Sequence, residues 1–80
     1  MHESPVAREL LRAAVESSGG QRIISMEIKL GPEGGYVPDS LEAHILAAAV
    51  NTVAENAKIA ITPVLSGGAE LVSIDVEENA

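Results

Sequence analysis

All seven glycines of this 80-residue chain fall in three clusters, at Gly19-Gly20, at Gly31, Gly34 and Gly35, and at Gly67-Gly68. Glycine ends helices and turns chains because it alone enters left-handed backbone at no steric cost. Between the clusters the apolar residues keep regular spacings, and the spacing switches period along the chain. That punctuation restricts the fold to short helices and strands joined by tight turns.

Ahead of the first cluster, Val6, Leu10, Leu11, Ala14 and Val15 recur at helical spacing, with Arg8, Glu9, Arg12 and Glu16 on the other side. Ser4 and Pro5 read as a hydroxyl cap followed by proline at the first helical position. The spacing predicts a helix over about residues 4–17. From Gln21 the period falls to two. Ile24, Met26, Ile28 and Leu30 alternate with Ser25, Glu27 and Lys29, which predicts a half-buried strand ending at Leu30. The segment from Gly31 to Gly35 is a tight turn. It lacks the Gly-Lys-Ser/Thr that a phosphate-cradling loop requires.

Val37-Pro38-Asp39-Ser40 opens a second predicted helix, with Leu41, Ile45, Leu46, Ala49 and Val50 as its apolar stripe and an end near Asn51 or Val53. Asn56 suits a left-handed turn. Lys58 to Val64 is a strand, with Pro63 marking an edge or a strand end. Ser66-Gly67-Gly68 is read as a hairpin turn, and Glu70 to Glu77 as the last strand, with Val72, Ile74 and Val76 on one face. The expected architecture is α/β of the α+β kind, in the order α-β-α-β-β. It is a small three-stranded mixed sheet with two helices on one face, formed by a single domain over residues 1–80.

Composition narrows the function. The formal net charge is −7, and the five basic residues are scattered, so neither nucleic acid nor an anionic membrane is a natural partner. No apolar run approaches the roughly 20 residues that cross a bilayer, and no signal peptide is recognisable, so a cytoplasmic protein is expected. Tyr36 is the only aromatic residue, which removes stacking platforms for bases. There is no cysteine, hence no disulfide, no thiolate zinc site and no cysteine nucleophile. No serine has a histidine and an acid in a recognisable catalytic motif, and the chain is not read as an enzyme. A small core and an alanine-rich helix leave room for homo-oligomerisation.

The opening Met1-His2-Glu3 is the one chemically pointed feature. A free α-amine, the next backbone nitrogen and a second-position imidazole can close two adjoining chelate rings on one ion. Nickel(II) and copper(II) favour such planar nitrogen sets. A bulky His2 favours retention of Met1, and the Glu3 amide is a further donor. The alternative is an ordinary solvated histidine at a chain end. His44, in the middle of the second helix, reads as a surface residue.

These residues resemble a known family. Met1-His2-Glu3-Ser4, Ala7 and Leu10-Leu11 are similar to the start of the hydrogenase nickel-incorporation proteins of the HypA/HybF type. The similarity continues through Ile28-Lys29-Leu30-Gly31, Val37-Pro38-Asp39-Ser40-Leu41 and Thr52 to Ile59. It closes at Ser66 to Leu71 and Ser73 to Glu77. The resemblance implies a nickel metallochaperone that acts with a maturation GTPase on the hydrogenase large subunit. It assigns nickel to His2, with Met1 and Glu3 contributing backbone nitrogens. The family also carries a zinc domain with paired cysteines before its last strand. Here Pro63 and Ser66 are separated by two residues, so that domain is absent and zinc is not expected. Two readings stand: a reduced nickel-binding protein, and an interaction module that docks on a maturation partner without metal.

Overall fold

A computed structural model describes residues 3–78 of the chain. Helix α1 (Glu3–Ser18) is followed by strand β1 (Ile23–Leu30), helix α2 (Pro38–Ala48) and strands β2 (Lys58–Pro63) and β3 (Ala69–Val76). The strands form one sheet in the order β2-β1-β3, with β1 parallel to β2 and antiparallel to β3. The helices cover one face. The other face is polar, with Glu27, Lys29, Lys58 and Asp75 exposed and Ser25 Oγ donating to Asp75 Oδ2 at 2.9 Å. No helix of the described residues is long and apolar enough to cross a membrane.

The α+β class, the element order and the mixed sheet are as the sequence predicts. The core draws on β1 (Ile23, Met26, Ile28, Leu30), on α1 (Ala7, Leu10, Leu11, Ala14) and on α2 (Leu41, Ile45). Sequential burial in α1 runs Glu3, Ala7, Leu10, Leu11, Ala14, Ser18, an unbroken helical stripe. Ser18 closes the helix: its Oγ donates to the Val15 carbonyl at 2.8 Å and accepts from the Gly20 amide at 3.3 Å.

Several expectations are corrected. Ser4 does not cap α1, which already includes Glu3; the Ser4 hydroxyl instead accepts from Arg8 Nη1 at 3.2 Å. Ile24 is half exposed and Ile23 takes its place in the core, because the β1–β3 register shifts between Ile23 and Ser25. A second shift loops Val72 out of the pairing, since Ser73 faces Glu27 while Leu71 faces Ile28. The expected stripe of α2 is only partly buried: Leu46, and Val50 just beyond the helix, are exposed. The helix stops at Ala48, and both Asn51 and Asn56 adopt φ of 67° in the turns that follow.

The largest correction concerns Ser66-Gly67-Gly68. It is not a hairpin turn, because β2 and β3 are not neighbours. The connection crosses the end of β1, held by Val64 N–H to the Leu30 carbonyl at 2.9 Å, Gly31 N–H to Gly68 at 2.9 Å and Glu33 N–H to Gly67 at 3.0 Å.

Candidate metal centre

Met1 and His2, two of the three residues singled out at the terminus, lie outside the described residues. Glu3 is described. It opens α1, is buried at 5% exposure, and its Oε2 accepts the backbone N–H of Val37 at 3.2 Å. Val37 is the residue before α2. It has extended backbone and no side-chain cap of its own. The Glu3 carboxylate therefore sits at the N-terminal end of α2, where the unpaired N–H groups and the helix dipole favour negative charge.

The Val37 amide holds the Glu3 carboxyl below the usual carboxylate value. Burial acts in the opposite direction, and the residue's own backbone amide and the Ser40 hydroxyl add to the lowering. The carboxylate is thus ionised and engaged with α2. The sequence offers Glu3 as a backbone donor; the role of its side chain at α2 comes from the fold. The signal was present: Glu3 lies four residues before Ala7 and extends the buried stripe of α1 by one turn.

His44 is exposed on α2, as the sequence suggests, with Nδ1 2.8 Å from the Ser40 carbonyl oxygen. Among the described residues no three His, Cys, Asp or Glu side chains cluster to hold a metal ion. A side-chain site built wholly within residues 3–78 is not on offer. Of the expected donors, Met1 and His2 lie outside the described residues and the backbone nitrogen of Glu3 lies within them. That nitrogen belongs to the first turn of a helix, whose N–H groups have no intrahelical partner.

Comparison with known proteins gives a consistent answer. The chain is similar to the hydrogenase maturation factor HypA of Geobacter sulfurreducens, with 31% identity over 68 residues, 85% of this chain and 62% of that protein. It is 32% identical to HypA of Geotalea daltonii over the same extent. HypA of Thermomicrobium roseum is 41% identical over 64 residues, 76% of this chain and 49% of that protein. The chain thus spans about half to three-fifths of the length of the curated relatives it matches. No family model matches the chain. Over the segment it shares with them, the chain is similar to several proteins named hydrogenase maturation factor HypA.

Proposed function

We propose that the chain binds Ni(II) through its N-terminus and serves hydrogenase maturation as a cytoplasmic, metallochaperone-like protein rather than as an enzyme. The observation that carries this reading is the Met1-His2-Glu3 opening on a chain related to HypA throughout most of its length. The α-amine of Met1, the His2 ring and the backbone nitrogens of His2 and Glu3 supply nitrogen donors of the kind Ni(II) prefers. The Glu3 backbone N–H lies in the first turn of α1 without an intrahelical carbonyl partner, and it would exchange its contact with its own carboxylate for the metal. Zinc has no part in the proposal. The chain has no cysteine, and only residues 64–68 lie between β2 and β3, where the family carries its zinc domain. The partners proposed are a hydrogenase large subunit or a maturation GTPase.

A second reading has one observation in its favour: the chain spans under two thirds of its relatives. On that reading it is a docking module that meets a maturation partner without metal. Nickel titration of the chain with a free Met1 amine, and of the same chain with residues added ahead of Met1, separates the two. The extension removes the amine and leaves residues 3–78 intact. Binding by the free form alone, with absorption typical of planar nickel, supports the first reading. Equal binding by both forms defeats the terminal chelate. No binding by either form, with a hydrogenase subunit or GTPase still captured, favours the module.

A further inference from the structure

The outer edge of β2 has backbone groups to spare. In a parallel ladder, alternate residues turn both N–H and C=O toward the neighbouring strand. The pairing of Leu30 with Pro63, and the Val64 N–H on the Leu30 carbonyl, fix which residues these are: Lys58, Ala60 and Thr62 bond to β1. The N–H and C=O of Ile59 and of Ile61 therefore point away from the sheet. Among the described residues no strand lies on that side, and no hydrogen bond engages those groups. An edge of this kind is a template for another strand.

The two edges of the sheet differ. β3 is blunted by the register shifts of its pairing with β1 and by the acids Glu70 and Asp75. β2 pairs with β1 without a shift, and residues 56–69 carry one charge, that of Lys58. Copies of a chain with net charge −7 repel each other except where their facing surfaces lack acids. The β2 edge is such a surface.

We infer that β2 pairs antiparallel with the β2 of a second copy of this chain, with Ala60 on the two-fold axis. That register sets Ile59 opposite Ile61 of the second copy, and Ile61 opposite its Ile59. Each of these pairs exchanges both of its N–H···O=C bonds. The ladder then ends by itself. The next pair would join Pro63, which has no N–H, to Ala57, whose N–H is given to the Ala54 carbonyl at 3.0 Å. Neighbouring registers are poorer for the same reason. Centring on Ile61 sets Ile59 against Pro63, and centring on Ile59 sets Ile61 against Ala57.

Side chains agree with this register. Ile59 and Ile61, half-buried against the core, meet their counterparts on the helix side of the sheet. On the polar face the exposed Lys58 lies opposite Thr62, so no like charges meet. Ala60 meets itself in a pair without hydrogen bonds, where strands approach most closely and a small side chain fits. The axis stands perpendicular to the sheet, so the helices of both copies share one face. An interface built on so short a strand falls at the small end of specific contacts, below about 1,200 Å², and the dimer depends on concentration.

Sedimentation of the full chain over a concentration series tests the pairing, with circular dichroism establishing that each variant is folded. Ile61→Pro removes an outward N–H and no bond to β1, and should weaken association at least about tenfold. Ala60→Lys and Ala60→Glu, at an exposed position, should each weaken it several-fold, and a mixture of the two should restore it. Val72→Lys, on the other edge, should leave it unchanged. Register is read by oxidation, since the chain has no cysteine of its own. Ala60→Cys should cross-link to itself, and Lys58→Cys should cross-link to Thr62→Cys in a mixture but not to itself. A parent that stays monomeric to about 1 mM overturns the inference, since even a millimolar association would show there. So does a dimer unaffected by Ile61→Pro and Ala60→Lys, a dimer broken by Val72→Lys, or self-linking of Lys58→Cys that matches Ala60→Cys.

Discussion

The Gly31 amide donates to the Gly68 carbonyl at 2.9 Å, and the chain between β2 and β3 lies directly over it. A Cβ at Gly31 would fall on the backbone carbonyl oxygens of Ser66 and Gly67. Backbone atoms do not swing aside as a side-chain tip would. Gly31→Ala should therefore displace the crossover and cost about 2–3 kcal/mol, as overpacking at a rigid site does. In a domain of this size that lowers the melting temperature by roughly 10 °C or more. Gly35→Ala is the comparison. Its Cβ meets nothing within 4 Å, so only the strain of φ at 65° remains, and the loss should be smaller. Thermal melts of the two variants check the ranking.

Ile23 and Ile24 are adjacent and chemically identical, yet Ile23 is 1% exposed and Ile24 50%. Ile23→Ala should cost roughly 2–4 kcal/mol through lost burial and a residual cavity. That is close to the whole stability of an 80-residue chain without disulfides or metal, which is about a few kcal/mol. Ile24→Ala should cost less than about 1 kcal/mol. Urea denaturation of both variants decides it, and comparable midpoints would place the register shift elsewhere.

That pair also shows where the sequence stops being legible. Strict alternation from Ile24 to Leu30 is correct from Met26 onward, because a period of two is enforced wherever one face is buried. The same rule fails at the bulge, where one extra residue flips the faces and leaves no composition signal. The five elements could be read because each has its own period and is bounded by glycine, proline or asparagine. The strand order could not. Ser66-Gly67-Gly68 satisfies a hairpin as well as it satisfies a crossover. The choice is made by β1, whose Ile23, Met26, Ile28 and Leu30 are the deepest strand residues and claim the centre of the sheet. At the candidate site, the sequence offers Met1 and His2 as donors, and both lie outside the described residues. The pairing of Glu3 with Val37 joins residues 34 apart, and no local rule reaches that far.

Acid should expose the Glu3 contact. The carboxyl is held below its ordinary value of 4.5 in the folded chain by the Val37 amide. A group with a depressed folded value adds stability that is fully present above its unfolded value and is lost as pH falls through the folded one. Stability should therefore decline below about pH 4.5, and Glu3→Gln should flatten part of that decline while differing less from the parent in acid than near neutrality. Glu9 is shifted in the same direction by Arg12, but this exposed pair is screened by solvent and contributes little. Glu9→Gln serves as the control. Chemical denaturation of the three proteins from pH 3 to pH 7 measures the effect. A Glu9→Gln curve as flat as that of Glu3→Gln would remove the distinction between them.

The two histidines give the sharpest contrast for nickel. His44 lies on the exposed side of α2, 2.8 Å from the Ser40 carbonyl oxygen, and no cluster of metal-binding side chains is found among the described residues. His44→Ala should leave nickel affinity within about twofold, as an exposed substitution away from a site does. His2→Ala should lower it by at least about a hundredfold, since a chelating imidazole is lost. The proton bookkeeping has a definite sign. Imidazole, amine and each ligating amide nitrogen must give up a proton to bind, so affinity should rise with pH through the imidazole range and continue to rise toward and beyond the amine range. In His2→Ala the lower of these two steps should vanish and the upper one persist. Calorimetric titrations at several pH values in buffers of different ionisation enthalpy count the protons released. If the lower step survives in His2→Ala and disappears in His44→Ala, nickel is held on α2 and not at the terminus.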